Sequence, residues 1–226
     1  MKKLAASLKH PSPVAPDGAL VGQLAGVVVG LDAVYRQLGG KPLQQVPGTD
    51  ARVDFRAAEQ LAVFDHVVRT VDTSADMRPE SWLIAPVRPV GEVTLRRPAG
   101  QAGARVSNQC LLAVRLPGHE KFALAAVRTL FVRNDGSLYL VASRLPGDLQ
   151  AMAADVREKT TNRQSAQALL VLSAAAPESP ASLIMPVGLP VRTASLSLRE
   201  TPPRALRLLA CLKRGADYER WTFAER

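Results

Sequence analysis

Aromatic residues are scarce in this chain of 226: two Trp, three Tyr and five Phe, or 4%. Proteins that hold single-stranded nucleic acid stack bases on exposed rings, so the composition weighs against a nucleic-acid partner. Histidine is scarcer still, with three residues: His10 near the N-terminus, His66 in an amphipathic stretch and His119 in a Pro-Gly turn. Catalytic centres gather His, Cys or paired carboxylates. The chain has no His-x-x-x-His, Cys-x-x-Cys, glycine-rich phosphate loop or Gly-x-Ser-x-Gly elbow. No enzyme, metal site or cofactor is expected. The two cysteines, Cys110 and Cys211, lie far apart within apolar runs. That spacing predicts buried, reduced thiols in a reducing compartment. Long apolar runs are missing too. The best, Ala19 to Leu31, has 13 residues including Gln23, short of the roughly 20 that a spanning helix needs. Met1-Lys-Lys is followed by Lys9, His10, Pro11, Pro13, Pro16 and Asp17 rather than by an apolar core, which argues against an export signal. The expected location is cytoplasmic.

What is present is an ordinary globular balance, 47% hydrophobic and 22% charged, with ample length for a core. The net charge of +9 is uneven. Residues 1–79 carry nine Lys/Arg against eight Asp/Glu, and residues 80–226 carry twenty against twelve. A basic surface favours anionic partners, mainly by steering their approach. Arginine supplies 22 of the 29 cations, a bias that a GC-rich genome also produces.

Residues 1–17 read as a flexible arm and 18–79 as a helical region. Leu20, Leu24, Val27, Leu31, Val34 and Leu38 are spaced 4-3-4-3-4, one helical stripe. Asp17 is a candidate N-cap and Gly39-Gly40 a stop signal. A second helix is expected from Ala51 to Val71. Such a pair docks on the rest of the chain or, through its heptad-like stripe, forms a homodimer. From Trp82 the period becomes two, over Val106 to Leu116, Phe122 to Arg133 and Ser137 to Leu145. Asn134-Asp135-Gly136 marks a hairpin, because such residues accept the positive φ angles of tight turns. Met152 to Arg157 is expected as a strand that completes a barrel over 80–160. After a polar boundary at 160–165, short apolar runs punctuated by proline predict a second β-rich unit over 166–226. The expected fold is mainly β, with N-terminal helices, a β-barrel and a β-rich C-terminal extension.

The run Trp82-Leu-Ile-Ala-Pro-Val-Arg-Pro-Val-Gly-Glu-Val-Thr-Leu95, with the strands that follow it, resembles the PilZ family. These small β-barrels are receptors for the bacterial second messenger cyclic di-GMP. The family motif is (Asp/Asn)-x-Ser-x-x-Gly. Here Gly91 holds the glycine position, Arg88 the serine position and Pro86 the Asp/Asn position. Arg52-x-x-x-Arg56 has the spacing of the family's second motif, though within a helical pattern. Pro180 to Pro186 and Arg214 to Phe223 look like the end of proteobacterial PilZ-related proteins. The resemblance implies a barrel scaffold whose nucleotide-reading side chains are replaced. The expected function is therefore a non-enzymatic regulatory or protein-interaction module that has lost cyclic di-GMP binding. One alternative is a receptor for cyclic di-GMP or another anion, with an altered site at Arg88, Gly91, Arg96 and Arg97. Another is a basic nucleic-acid-binding protein.

Overall fold

The structure is a computed structural model, and it describes residues 20–41, 43, 78–86, 91–158, 164–174, 179–189 and 194–225. Two closed six-stranded antiparallel barrels follow one another along the chain. The first is built from β1 (Leu24–Val29), β2 (Glu80–Ile84), β3 (Glu92–Arg97), β4 (Leu111–Arg115), β5 (Ala123–Val132) and β6 (Leu138–Arg144). The second uses β7 (Leu149–Glu158), β8 (Gln164–Leu172), β9 (Ser182–Pro186), β10 (Ala194–Leu198), β11 (Arg204–Arg214) and β12 (Tyr218–Glu225). Around the first barrel the strands run β1-β2-β3-β6-β5-β4, and around the second β7-β8-β9-β12-β11-β10. The two circuits are the same.

Alternation fills the barrels. Val93 and Leu95 of β3, Leu112 and Val114 of β4, and Leu140 and Ala142 of β6 point inward with the fully buried Trp82. In the second barrel Met152, Ala154, Leu169, Leu183, Met185 and Leu196 do the same. The opposite parity of several strands is apolar as well. Leu111 and Ala113 of β4 and Leu124 and Ala126 of β5 share one buried cluster with Ala168, Leu170 and Leu172 of β8, Ile184 of β9 and Tyr218 of β12. This cluster is the seam between the barrels. Strands buried on both faces read as continuous apolar runs, as Leu111 to Val114 and Leu183 to Met185 do.

The expected helix over 18–38 is corrected. Its first half is β1, and only its second half is helical, as α1 (Leu31–Gln37). Gly26 followed by three valines suits a pleated strand better than a helix. Gly30, with φ 89°, makes the break between the two elements. Leu31, Val34 and Tyr35 of α1 pack into the seam. The second expected helix, over 51–71, lies outside the described residues, as do Arg52, Arg56 and His66. Met152 to Arg157 is strand, but it belongs to β7 and opens the second barrel rather than closing the first. Both cysteines are unpaired, Cys110 buried and Cys211 half-buried. Among the described residues no helix is long and apolar enough to cross a membrane.

Candidate functional site

The outer face of β3, β6 and β5 carries the polar chemistry of the first barrel. On β3 the outward parity is Glu92, Thr94 and Arg96. On β6 it includes Tyr139 and Val141. Cross-strand pairing sets Arg96 beside Tyr139 and Tyr139 beside Phe131. The Asn134-Asp135-Gly136 turn closes the hairpin, with Gly136 at φ 76° and the Arg133 amide donating to the Ser137 carbonyl at 3.0 Å. A bulge between Val127 and Thr129 interrupts the ladder at Arg128. Bulges turn a side chain out of the regular alternation.

The result is a ring platform edged by cations. Phe131 and Tyr139 stack at 5.4 Å between centroids, 10° from parallel. The Arg133 guanidinium lies 4.6 Å from the Tyr139 centroid and that of Arg96 5.8 Å from it. Phe131 is 40% exposed, so the platform meets solvent. Beside it opens a cavity of ≈ 680 Å³, lined by Ala85, Pro86, Glu92, Thr94, Arg128, Thr129, Phe131, Arg133, Tyr139 and Val141. The Thr94 hydroxyl is buried there without a hydrogen-bond partner. Such a group costs stability unless something meets it. Glu92 accepts from Arg128 at 2.6 Å, so the lining holds two cations and one carboxylate that is already paired.

Of the residues expected from sequence, Arg96 lies on this face. It bonds Ser137 Oγ from Nη2 at 3.0 Å and from Nε at 3.2 Å, and pairs with Asp135 at 3.2 Å. Asp135 is held below the usual carboxylate range, first by the Ser137 amide and then by the Ser137 hydroxyl and the nearby Arg96 and Arg133. Arg97 has the opposite parity. Its guanidinium lies 5.1 Å from the Trp82 centroid, contacts Glu80 at 3.4 Å and donates to the Ala104 carbonyl at 3.0 Å. The structure therefore does not bring Arg96 and Arg97 to one site. Gly91, with φ 90°, sits exposed at the start of β3, its carbonyl accepting from the Arg144 amide at 2.8 Å. Arg88 lies outside the described residues, while Pro86 borders the cavity.

The sequence reading missed Phe131, Arg133, Tyr139, Thr94 and Arg128. A signal was available for three of them. Phe131, Arg133 and Tyr139 flank the Asn-Asp-Gly turn at positions that a tight hairpin places on one face. Nothing local marked Thr94 or Arg128, whose setting depends on long-range pairing and a bulge. Among the described residues no three His, Cys, Asp or Glu side chains are grouped to hold a metal. No family model, curated protein or solved structure matches the chain.

Proposed function

We propose that this chain is a non-enzymatic, ligand-responsive module on a divergent PilZ-like scaffold, and that the face of β3, β6 and β5 takes an anionic ligand bearing a flat ring. The carrying observation is the Phe131–Tyr139 stack between Arg133 and Arg96, beside an unpartnered Thr94 hydroxyl. An exposed ring offers stacking to a planar group. Arginine adds charge and a planar fork suited to phosphate. Glu92 adds selectivity, since a carboxylate accepts from ring amino or imide N–H groups and repels a bare anion. A nucleotide meets all three conditions. With Pro86 and Arg88 at the family's reading positions, recognition of cyclic di-GMP would have to come from the platform residues.

Thermal unfolding with and without cyclic di-GMP, at low and high salt, tests this. Saturation at a hundred times the dissociation constant stabilises a fold by about 2.7 kcal/mol, a shift of a few degrees for a chain of this size. Absence of a shift at millimolar cyclic di-GMP and millimolar GMP would remove the nucleotide reading. The second reading is a protein-interaction module, favoured by Leu209 and Leu212 on β11, 52% and 45% exposed. Solvent-facing leucines flanked by Arg207, Lys213 and Arg214 suit an acidic partner with an apolar centre.

A further inference from the structure

The seam between the barrels is apolar until it reaches one rim, where it ends in cations. On β5 the parity that puts Leu124 and Ala126 into the seam next brings Arg128, at the bulge. On β12 the parity of the buried Tyr218 next brings Arg220. Lys213 of β11 is the cross-strand partner of Arg220. Lys213 and Arg220 thus stand side by side on the second barrel, and across the seam the Arg128 charge is near enough to act on Lys213. Like charges directly opposite in a sheet repel and destabilise it, and little here offsets them. Arg128 is paired with Glu92 on its cavity side. Arg220 Nε donates to the neutral Ser182 hydroxyl at 2.8 Å. The nearest acid on β12, Glu219, has the opposite parity and is engaged by Arg214 at 3.1 Å and by the Trp221 indole at 2.8 Å. Among the described residues no carboxylate is in ion-pair contact with Lys213 or Arg220. Both are half-buried. The Lys213 ammonium is held below its usual range by burial first and then by Arg128 and Arg220, and burial lowers Arg220 as well.

We infer that this rim is a seat for a phosphate-type oxyanion, held by Arg128 of the first barrel together with Lys213 and Arg220 of the second, and that occupation fastens the barrels together. A tetrahedral oxyanion presents acceptor oxygens in three dimensions to donors arriving from different strands, and it can carry more than one negative charge. Charge-assisted bonds of this kind are the stronger class. The seat needs neither Phe131 nor Tyr139 and so goes beyond the platform. The oxyanion is either free or the phosphate of a nucleotide on the platform, since Arg128 borders both places. The second source rests on the function proposed above.

The test is thermal unfolding of the full chain with pyrophosphate, against sodium chloride at matched ionic strength. Pyrophosphate should raise Tm well beyond the chloride control. Lys213→Met, which keeps the aliphatic stem, should weaken that response at least fivefold in apparent affinity without lowering Tm in the absence of anion. Lys213→Arg should restore it, and Arg220→Gln gives the same readout should Lys213→Met fail to fold. Tyr139→Ala separates the sources. A pyrophosphate response kept in Tyr139→Ala and lost in Lys213→Met supports a free oxyanion, even where the platform binds nothing. A cyclic di-GMP response reduced in both variants supports a nucleotide that spans the two places. Wild type stabilised no more by pyrophosphate or cyclic di-GMP than by chloride, or a Lys213→Met protein that responds as wild type does, overturns the inference.

Discussion

The Asp217 carboxylate, in the turn of the last hairpin, accepts a hydrogen bond from the Leu111 amide at 2.9 Å and so ties the second barrel to the first strand residue of β4. Next to it the Ala216 amide donates to the Gln109 carbonyl at 3.0 Å. Burial pushes the Asp217 carboxyl above its usual range, partly offset by bonds from the Leu111, Asp217 and Leu31 amides. The latch is therefore an ionisable group placed where charge is costly.

Its pH dependence follows from that direction. A carboxyl with a raised folded-state pKa supports the fold most when protonated, below about pH 4, and loses ground as pH rises through the folded value. The Tm of wild type minus that of Asp217→Asn should fall between about pH 3 and pH 7. A constant difference would show that Asp217 titrates as it does in the unfolded chain. Asp217→Ala, which strands the Leu111 donor, should cost about 1–3 kcal/mol in urea unfolding.

Asp135 should behave in the opposite sense. Its carboxyl is lowered, chiefly by the Ser137 amide, so its contribution is present above about pH 4 and is lost as pH falls through the folded value. Asp135→Asn should flatten the acid side of the stability profile. An unchanged acid limb in that variant would assign the loss to other carboxylates.

Gly215 meets the seam more closely than any side chain would allow. A Cβ there would run into the Tyr218 ring and stand 2.5 Å from the Gln109 carbonyl oxygen. Tyr218 is fully buried, with its phenol pushed up to about 12 by burial and then by Asp217. Gly215→Ala should lower stability by about 1–3 kcal/mol, as overpacking does. The urea midpoint checks it, and a neutral result would mean that the hairpin turn shifts freely against Gln109.

Glu80 joins three groups at the mouth of the first barrel: the Trp82 indole at 3.0 Å, Arg97 at 3.4 Å and the Ala104 amide at 2.5 Å. Glu80→Ala should cost about 2–3 kcal/mol, because the buried indole donor loses its acceptor. Glu80→Gln should cost less, since the amide oxygen still accepts. Unfolding followed by Trp fluorescence checks both. Equal losses would show that the Arg97 ion pair, rather than the indole bond, sets the effect.

Tyr139 separates binding from folding. Base–aromatic stacking is worth about 1–3 kcal/mol on alanine substitution, so Tyr139→Ala should weaken a ring-bearing ligand roughly tenfold or more. Tyr139→Phe should retain the stack. Calorimetric titration with cyclic di-GMP reads the difference, and equal affinities in wild type and Tyr139→Ala would place the ring elsewhere.

The strands from Trp82 to Leu145 were legible because β3 and β6 alternate, β4 and the start of β5 are short continuous apolar runs, and the Asn-Asp-Gly turn fixes one register. The tail strands were legible through proline and short apolar runs. β1 was not. Leu20, Leu24 and Val27 fit a helical stripe by spacing, yet β1 pairs with β2 and β4, and it gains those ladders only through contacts distant in sequence. Closure of two barrels was hidden for the same reason. The basic face was half legible. Charge pointed to Arg96 and Arg97 together, while a strand sends neighbouring side chains to opposite faces, leaving Arg97 with Trp82 and Glu80.

The shared circuit of the barrels makes each strand of one half the counterpart of a strand in the other: β3 of β9, β6 of β12 and β5 of β11. The ring platform lies on β3, β6 and β5. Arg220 and Lys213 lie on β12 and β11, the counterparts of β6 and β5. The ring platform and the Lys213–Arg220 pair thus lie on corresponding strands of two barrels that share one connectivity. The pseudo-repeat is written in connectivity rather than in amino acids, and it supplies a rational map for transplanting residues between the halves.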